Sequence, residues 1–230
     1  MKRRTKIIAT IGPSSDHIRV IKRMEKAGMD IARINTKYTN KREFEKLLKV
    51  LRKVDVEILI DIKNLEFLKW IDSQEYDYLA ISFASSGRQI KKIRSLLHSK
   101  KVKIISKIEN KKGLRNFESI LKESDGIMIA RGDLSENVPF EKMPMIQKMI
   151  IKKCNKKGKI AITATEMLMS MVKHKSPGKS EITDIANAVL DGSDMVMLSE
   201  ETTIGKYPAL SIKTMSKIIK ETEKSKKFLK

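Results

Sequence analysis

The sequence predicts an α/β protein, a single closed parallel (β/α)8 barrel of the TIM type. Three observations predict it. Eight short, apolar, β-rich runs follow one another along the chain. Longer segments between them carry apolar residues at three-to-four spacing, the mark of an amphipathic helix. The whole occupies 230 residues, which matches one barrel and leaves no room for a second large core.

The expected strands are Lys6–Ile11, Met29–Arg33, Glu57–Asp61, Tyr78–Phe83, Lys103–Lys107, Gly126–Ala130, Lys159–Thr163 and Met195–Leu198. Their apolar character suits strands covered on both faces. After the first run, Ile18, Ile21, Met24 and Ala27 share one helical face. After the second, Phe44, Leu47, Leu48 and Leu51 do so. Directly after Asp61, the segment Ile62-Lys63-Asn64-Leu65-Glu66-Phe67 reads as the next helix. Ile90, Ile93, Leu96 and Leu97 form the fourth stripe. Met145, Ile146, Met149 and Ile150 follow the sixth strand, and Ile182, Ile185, Ala186 and Val189 the seventh. Leu210, Met215, Ile218 and Ile219 close the series. An open doubly wound sheet is the structural alternative, but eight strands in this length favour closure. The expected barrel spans residues 1–226. A charged tail, residues 227–230, ends the Glu221–Lys230 stretch, which is expected to fray.

Composition narrows the class. Hydrophobic residues are 40% and charged residues 33%, as in a globular domain rather than a disordered chain. The net charge of +21 concentrates anions near the surface. Lysine is spread over nearly every expected helix and aromatics are only 5%, so a nucleic-acid partner is not expected. Anionic small molecules are. Cys154 is the only cysteine, which fits a reducing cytoplasm. The apolar stretch Ile7–Ile11 runs into Gly12-Pro13 and is too short for a leader, and no run is long enough to span a membrane.

In such barrels the working residues sit at the C-terminal ends of the strands. Polar residues gather there: Arg33 and Asn35, Asp61, Lys107 and Glu109, Arg131-Gly132-Asp133, Thr163 and Thr165, then Ser199-Glu200-Glu201-Thr202. Lys107 and Glu109 alternate with apolar neighbours, so both face the cleft. Carboxylates from adjacent strand ends, Glu109 and Asp133, suit Mg2+ (or Mn2+), with substrate oxygens and water completing the octahedron. Lys107 beside them would stabilise negative charge on an enolate or a transferring phosphoryl group. A Lys–carboxylate pair capping the barrel is the plain structural alternative. Gly132 opens a turn whose free N–H groups would take a carboxylate or phosphate.

Read in order, the segments resemble the pyruvate kinase family. Arg4-Thr5-Lys6-Ile7-Ile8-Ala9-Thr10-Ile11-Gly12-Pro13 is similar to its opening strand, and Ala27–Asn35 to its second. Ile105-Ser106-Lys107-Ile108-Glu109-Asn110, Ser124–Leu134, Thr163–Leu168 and Asp184–Gly192 carry the resemblance onward. It implies a barrel of the phosphoenolpyruvate/pyruvate-binding type. It implies that Lys107 steadies the enolate and the phosphoryl group, that Glu109 and Asp133 hold Mg2+, and that Arg33 binds the phosphoryl group. Thr165 would lie near the substrate carboxylate and the proton path, with the Gly132 and Asp133 backbone as the carboxylate cradle. Asn35 and Asp61 match members of a monovalent-cation site, and Ser199 and Glu201 a loop beside substrate and nucleotide.

The departures matter as much. The family inserts a lid domain after the third strand; here a helix is expected at once, without the lid or its arginine. The family's C-terminal regulatory domain has no counterpart before the chain stops. Lys37 replaces a serine and Ile62 a threonine of the cation site, which puts K+ dependence in doubt; the Lys37 ammonium would sit where K+ does. Ser135, Glu166 and Glu200 replace the usual Gly, Gln and Gly. The expected function is therefore Mg2+-dependent phosphoryl transfer between phosphoenolpyruvate and ADP. The alternatives are another metal-dependent enolpyruvate enzyme that does not use ADP, and a non-enzymatic binding protein. The family also pairs barrels through helical faces, so a homo-oligomer is compatible; the sequence leaves that open.

Overall fold

The computed structural model describes residues 3–64 and 66–225. Eight parallel strands close into one barrel in chain order. They are β1 (Lys6–Thr10), β2 (Ile31–Asn35), β3 (Glu57–Ile62), β4 (Tyr78–Ile81), β5 (Lys103–Ile108), β6 (Gly126–Ala130), β7 (Ile160–Ala164) and β8 (Met195–Leu198). The helices are α1 (Ile18–Ala27), α2 (Lys41–Leu51), α3 (Glu66–Ile71), α4 (Gly87–Leu96), α5 (Lys111–Arg115), α6 (Phe117–Glu123), α7 (Arg131–Ser135), α8 (Met143–Lys156), α9 (Lys179–Asp191), α10 (Glu200–Thr203) and α11 (Pro208–Ser225). No helix among the described residues is long and apolar enough to cross a membrane.

Each strand is apolar on both faces because each face is buried. Ile8, Ile31, Leu59, Ile105, Met128, Ile162 and Met195 fill the barrel. Their neighbours Ile7, Ala32, Ile60, Ile104, Ile127, Ala161 and Val196 face the helices. Side chains two apart share a face. The inward series therefore continues upward into Thr10, Arg33, Asp61, Ser82, Lys107 and Ser199, and the layer above the apolar plug is polar.

The opposite end is held by a repeated device. Asp30, Asp77, Asp125 and Asp194 stand just before the even-numbered strands. Each carboxylate accepts the N–H of the second residue of the strand before it, from Ile7, Ile58, Ile104 and Ala161 at 2.7–2.8 Å. These carboxylates stitch strand pairs together at the face that does no chemistry.

Several expectations need correction: Ile11, Phe83 and Lys159 lie just outside β1, β4 and β7, and Leu96 and Ile182 of the expected stripes are exposed. The second strand begins at Ile31 rather than Met29, because Gly28 is in the left-handed conformation that ends α1. Ile62 still belongs to β3, and α3 starts only at Glu66. In α8 the buried face is Gln147, Ile150, Ile151 and Cys154, while Met145 is exposed. A second three-to-four series, one residue out of phase, wins because it contains the residues that reach the sheet. Residues 221–225 form the last turn of α11, and the expected tail 227–230 lies outside the described residues.

Candidate active site at the mouth of the barrel

The polar layer is a chain of charge-assisted hydrogen bonds. Arg33 donates through Nε and NH2 to Asp61 Oδ2 at 3.0 and 2.7 Å, and through NH1 to Thr10 Oγ1 at 2.8 Å. Lys107 Nζ lies 3.0 Å from Asp61 Oδ2 and 3.0 Å from Glu109 Oε1, and donates to Ser82 Oγ at 3.1 Å. Ser82 donates to Asp61 Oδ1 at 3.2 Å. The ammonium thus sits between two carboxylates that are 1% and 2% exposed.

Burial acts differently on those two acids. For Asp61 burial favours the neutral form, but Lys107 and Arg33 outweigh it and hold the carboxyl below its ordinary range. For Glu109 burial prevails over Lys107 and the Phe83 N–H, and the carboxyl lies above its ordinary range.

Backbone strain is confined to this end. Among the described residues, the non-glycine residues with positive φ are Phe83 (51°), Thr165 (70°) and Glu166 (55°). Phe83 follows β4, and its N–H points to Glu109 Oε2. Thr165 and Glu166 follow β7. Arg131 holds their turn from below: its Nε donates to the Thr165 carbonyl at 3.1 Å and its NH2 to the Glu166 carbonyl at 3.0 Å. Arg131 is fixed in turn by Asp184, with NH1 2.7 Å from Oδ2. Left-handed non-glycine residues cost free energy and persist where surrounding structure overrides them.

That turn sets Thr165 against the first turn of α7. Gly132 N–H donates to Thr165 Oγ1 at 3.0 Å. A Cβ placed on Gly132 would meet only Thr165 Oγ1, at 3.7 Å, so the side of Gly132 away from the fold is open space. Asp133 is exposed at the same turn. Asn137, just after α7, donates through Nδ2 to the carbonyls of Asp133 at 2.8 Å and Glu109 at 3.3 Å. One amide thus joins the two segments expected to hold the metal.

Of the expected site residues, Arg33, Asp61 and Lys107 meet directly, Glu109 joins through Lys107, and Gly132 meets Thr165. Others are placed differently from their expected roles. Asn35 Oδ1 accepts the Lys37 N–H at 3.1 Å and so caps its own loop. Asp61 neutralises two cations. Ser199 and Glu201 stand at the end of β8, but Glu201 is fully buried and accepts N–H bonds from Leu168 and Ser199, both at 2.8 Å. It ties the loops after β7 and β8 together rather than facing a ligand. Thr163 turns away from the mouth, onto Ser193. Lys37 is exposed and feels, after its neighbour Tyr38, the charges of Asp133 and Glu109, which raise its affinity for a proton. Thr10, Ser82 and Asn137 were missed by sequence reasoning. The first two continue the inward alternations Ile8-Thr10 and Tyr78-Ala80-Ser82; nothing local marks Asn137.

Comparison with known proteins gives the same direction. The family model "Pyruvate kinase, barrel domain" matches residues 2–66 and 52–212 in two segments. The two segments overlap over residues 52–66, which hold β3 and the connection after it. The cytosolic isozyme of pyruvate kinase from Solanum tuberosum is 45% identical over 174 residues, 75% of this chain and 34% of that protein. The pyruvate kinase of Thermococcus litoralis is 46% identical over 169 residues, 73% of this chain and 36% of that protein. That of Methanocaldococcus jannaschii is 44% identical over 164 residues, 70% and 37% respectively. The matched part is about a third of each relative's length. With these matches and the closed eight-stranded barrel together, the chain belongs to the pyruvate kinase family, of which it represents the barrel domain.

Proposed function

We propose that the barrel mouth binds phosphoenolpyruvate with a divalent metal ion and transfers its phosphoryl group to ADP, giving pyruvate and ATP. One observation carries the reading: the Lys107 ammonium is held between the buried carboxylates of Asp61 and Glu109 at the end of β5, and the ends of the next two strands leave open space at Gly132 beside Thr165.

The donor set fits Mg2+ or Mn2+. No cluster of three or more acidic, His or Cys side chains occurs among the described residues, so the protein offers Glu109 and Asp133 and leaves the other positions to substrate oxygens and water. When bound, the ion would supply positive charge to the phosphoryl and enolate oxygens. Asp61 and Glu109 already take up the charge of Arg33 and Lys107, so a divalent cation would add the positive charge that a highly anionic substrate calls for.

The chain's own groups then divide the work. Arg33 uses three of the five N–H groups a guanidinium carries, leaving the others for phosphoryl oxygens. Lys107 sits where negative charge grows on the enol oxygen as its bond to phosphorus breaks and the ADP oxygen bonds instead. The Gly132 amide, expected to be free, is given to Thr165 Oγ1, so the substrate carboxylate is suited by the open space at Gly132 rather than by that amide. Thr165 Oγ1 donates its proton to the Ala164 carbonyl at 2.6 Å. It therefore orients substrate and water by accepting hydrogen bonds, and the methylene carbon of the enolate takes its proton from solvent on that side.

A second reading rests on one further observation. Only residues 63–65 join β3 to α3, so no lid covers the mouth at that point. Open access favours transfer of the phosphoryl group to water, or enolpyruvate chemistry without ADP. Phosphorus NMR of phosphoenolpyruvate with protein and Mg2+ separates these. ATP formed only when ADP is present supports the proposal, and inorganic phosphate formed without ADP supports the second reading. An unchanged spectrum at high protein rejects both.

A further inference from the structure

The flank of the barrel carries a second feature, remote from the mouth. Helices α1 and α11 lie side by side beyond β1 and β8, with a groove of about 710 Å³ along their outer surface. Its α1 wall bears Arg23 and Lys26, and Arg19 and Lys22 continue the same face of α1 along an adjoining hollow. The other bears Lys206 and, along α11, Lys213, Lys217 and Lys220. All eight are exposed, no Asp or Glu lines the groove, and among the described residues none of the eight is in an ion pair. Basic residues are 49 of 230 in the chain but eight of the fourteen lining this region, so composition alone does not account for it. Lysines that look evenly spread along the sequence are in part gathered here by folding.

The geometry selects the ligand. Seven helical residues advance about 10 Å, so the basic faces Arg19–Lys26 of α1 and Lys213–Lys220 of α11 are rows of equal length, and they meet at the groove through Arg23 and Lys26. At roughly 3.4 Å per nucleotide along a stacked strand, each row faces about three phosphates. A flat membrane surface would touch the two rims and miss the interior. An extended acidic peptide would turn alternate carboxylates away. The floor, which includes Ala27, Ala209 and Ser216, has little with which to read a base. Tyr207 is already covered by Lys175, whose Nζ is 5.9 Å from the ring centre. We propose that this groove binds the phosphodiester backbone of a single nucleic-acid strand, independently of base sequence. The site is separate from the mouth and does not depend on the catalytic reading.

The test is fluorescence anisotropy with a labelled, mixed-sequence single-stranded RNA over a range of salt concentrations, using the full chain. K213Q/K217Q/K220Q changes one wall. K91Q/K92Q/K122Q removes as many exposed charges from α4 and α6, on the far side of the barrel. Circular dichroism checks that both variants are folded. At about 0.7 per phosphate contact, the groove variant should lower the slope of log affinity against log salt by about 2 and weaken binding at least tenfold at low salt, while the control stays near wild type. Equal losses in the two variants would show general attraction to a basic surface and overturn the proposal. So would stronger competition, per unit charge, by poly-glutamate or phosphatidylserine vesicles than by unlabelled RNA.

Discussion

Gly132→Ala separates the fold from the site in a single methyl group. Gly132 lies in the first turn of α7 and is not among the glycines with positive φ, so alanine can adopt its backbone. The added Cβ would meet one protein atom, Thr165 Oγ1, at 3.7 Å, an ordinary contact. Replacing glycine by alanine at such a position stabilises by about 0.4–1 kcal/mol, mainly by restricting the unfolded chain. For a chain of this size that raises Tm by roughly 1–4 °C. If the open space is where a substrate carboxylate rests, the same methyl intrudes on it. An unrelieved methyl costs about 1–3 kcal/mol, or roughly 5- to 150-fold in affinity. The assays are thermal unfolding, and calorimetric titration of pyruvate or phosphoenolpyruvate in the presence of Mn2+. The expected result is a protein at least as stable as wild type that binds its ligand far more weakly. Unchanged affinity would place the substrate elsewhere, and a large fall in Tm would show that the space is needed by the fold.

Further outcomes follow from the charge network. Asp61→Asn leaves Arg33 and Lys107 buried without their shared anion, at a cost of about 3–5 kcal/mol near neutral pH by urea unfolding. Because Lys107 and Arg33 hold the Asp61 carboxyl below its unfolded value of about 3.9, its stabilisation is present above that pH and lost as pH falls through the lower folded value. The difference between wild type and variant should therefore shrink in strong acid; a gap of the same size at both ends would mean that charge is not its source. Asn137→Ala removes the donor shared by the Glu109 and Asp133 carbonyls and should weaken Mn2+ binding, followed by electron paramagnetic resonance, by roughly 10- to 100-fold. Lower stability with unchanged Mn2+ affinity would reduce Asn137 to a structural role. Activity should change little between K+-free and K+-rich buffer, since Asn35 caps its own loop and Asp61 is already neutralised; a steep rise with K+ would refute this.

Most of the site was legible because strand alternation is a local rule. Knowing that Ile105 faces inward places Lys107 inward too, and the same step from Leu59 places Asp61. Thr10 and Ser82 were equally legible by that rule, and were passed over because small hydroxyl residues do not advertise charge chemistry. Asn137 was not legible. Its role depends on how the chain leaves α7 and meets the end of β5, 28 residues earlier. Glu201 was misread for a related reason. The sequence places it in a rim loop, but only packing shows its carboxylate turned inward to two backbone amides. The stripe on α8 was misread because two apolar series overlap there, and the sheet decides which is buried.

The sequence by itself determined the barrel, the order of its strands and the ring of polar groups at their C-terminal ends. Each of these follows from periodicity, a property of residues a few positions apart. The tertiary structure alone decided which charges meet: that Asp61 is shared by Arg33 and Lys107, that Arg131 supports the strained turn at Thr165, and that basic residues from the first and last quarters of the chain line one groove. Coulomb and hydrogen-bond energies depend on distance in space, and closing the barrel brings β1 against β8 across nearly the whole chain.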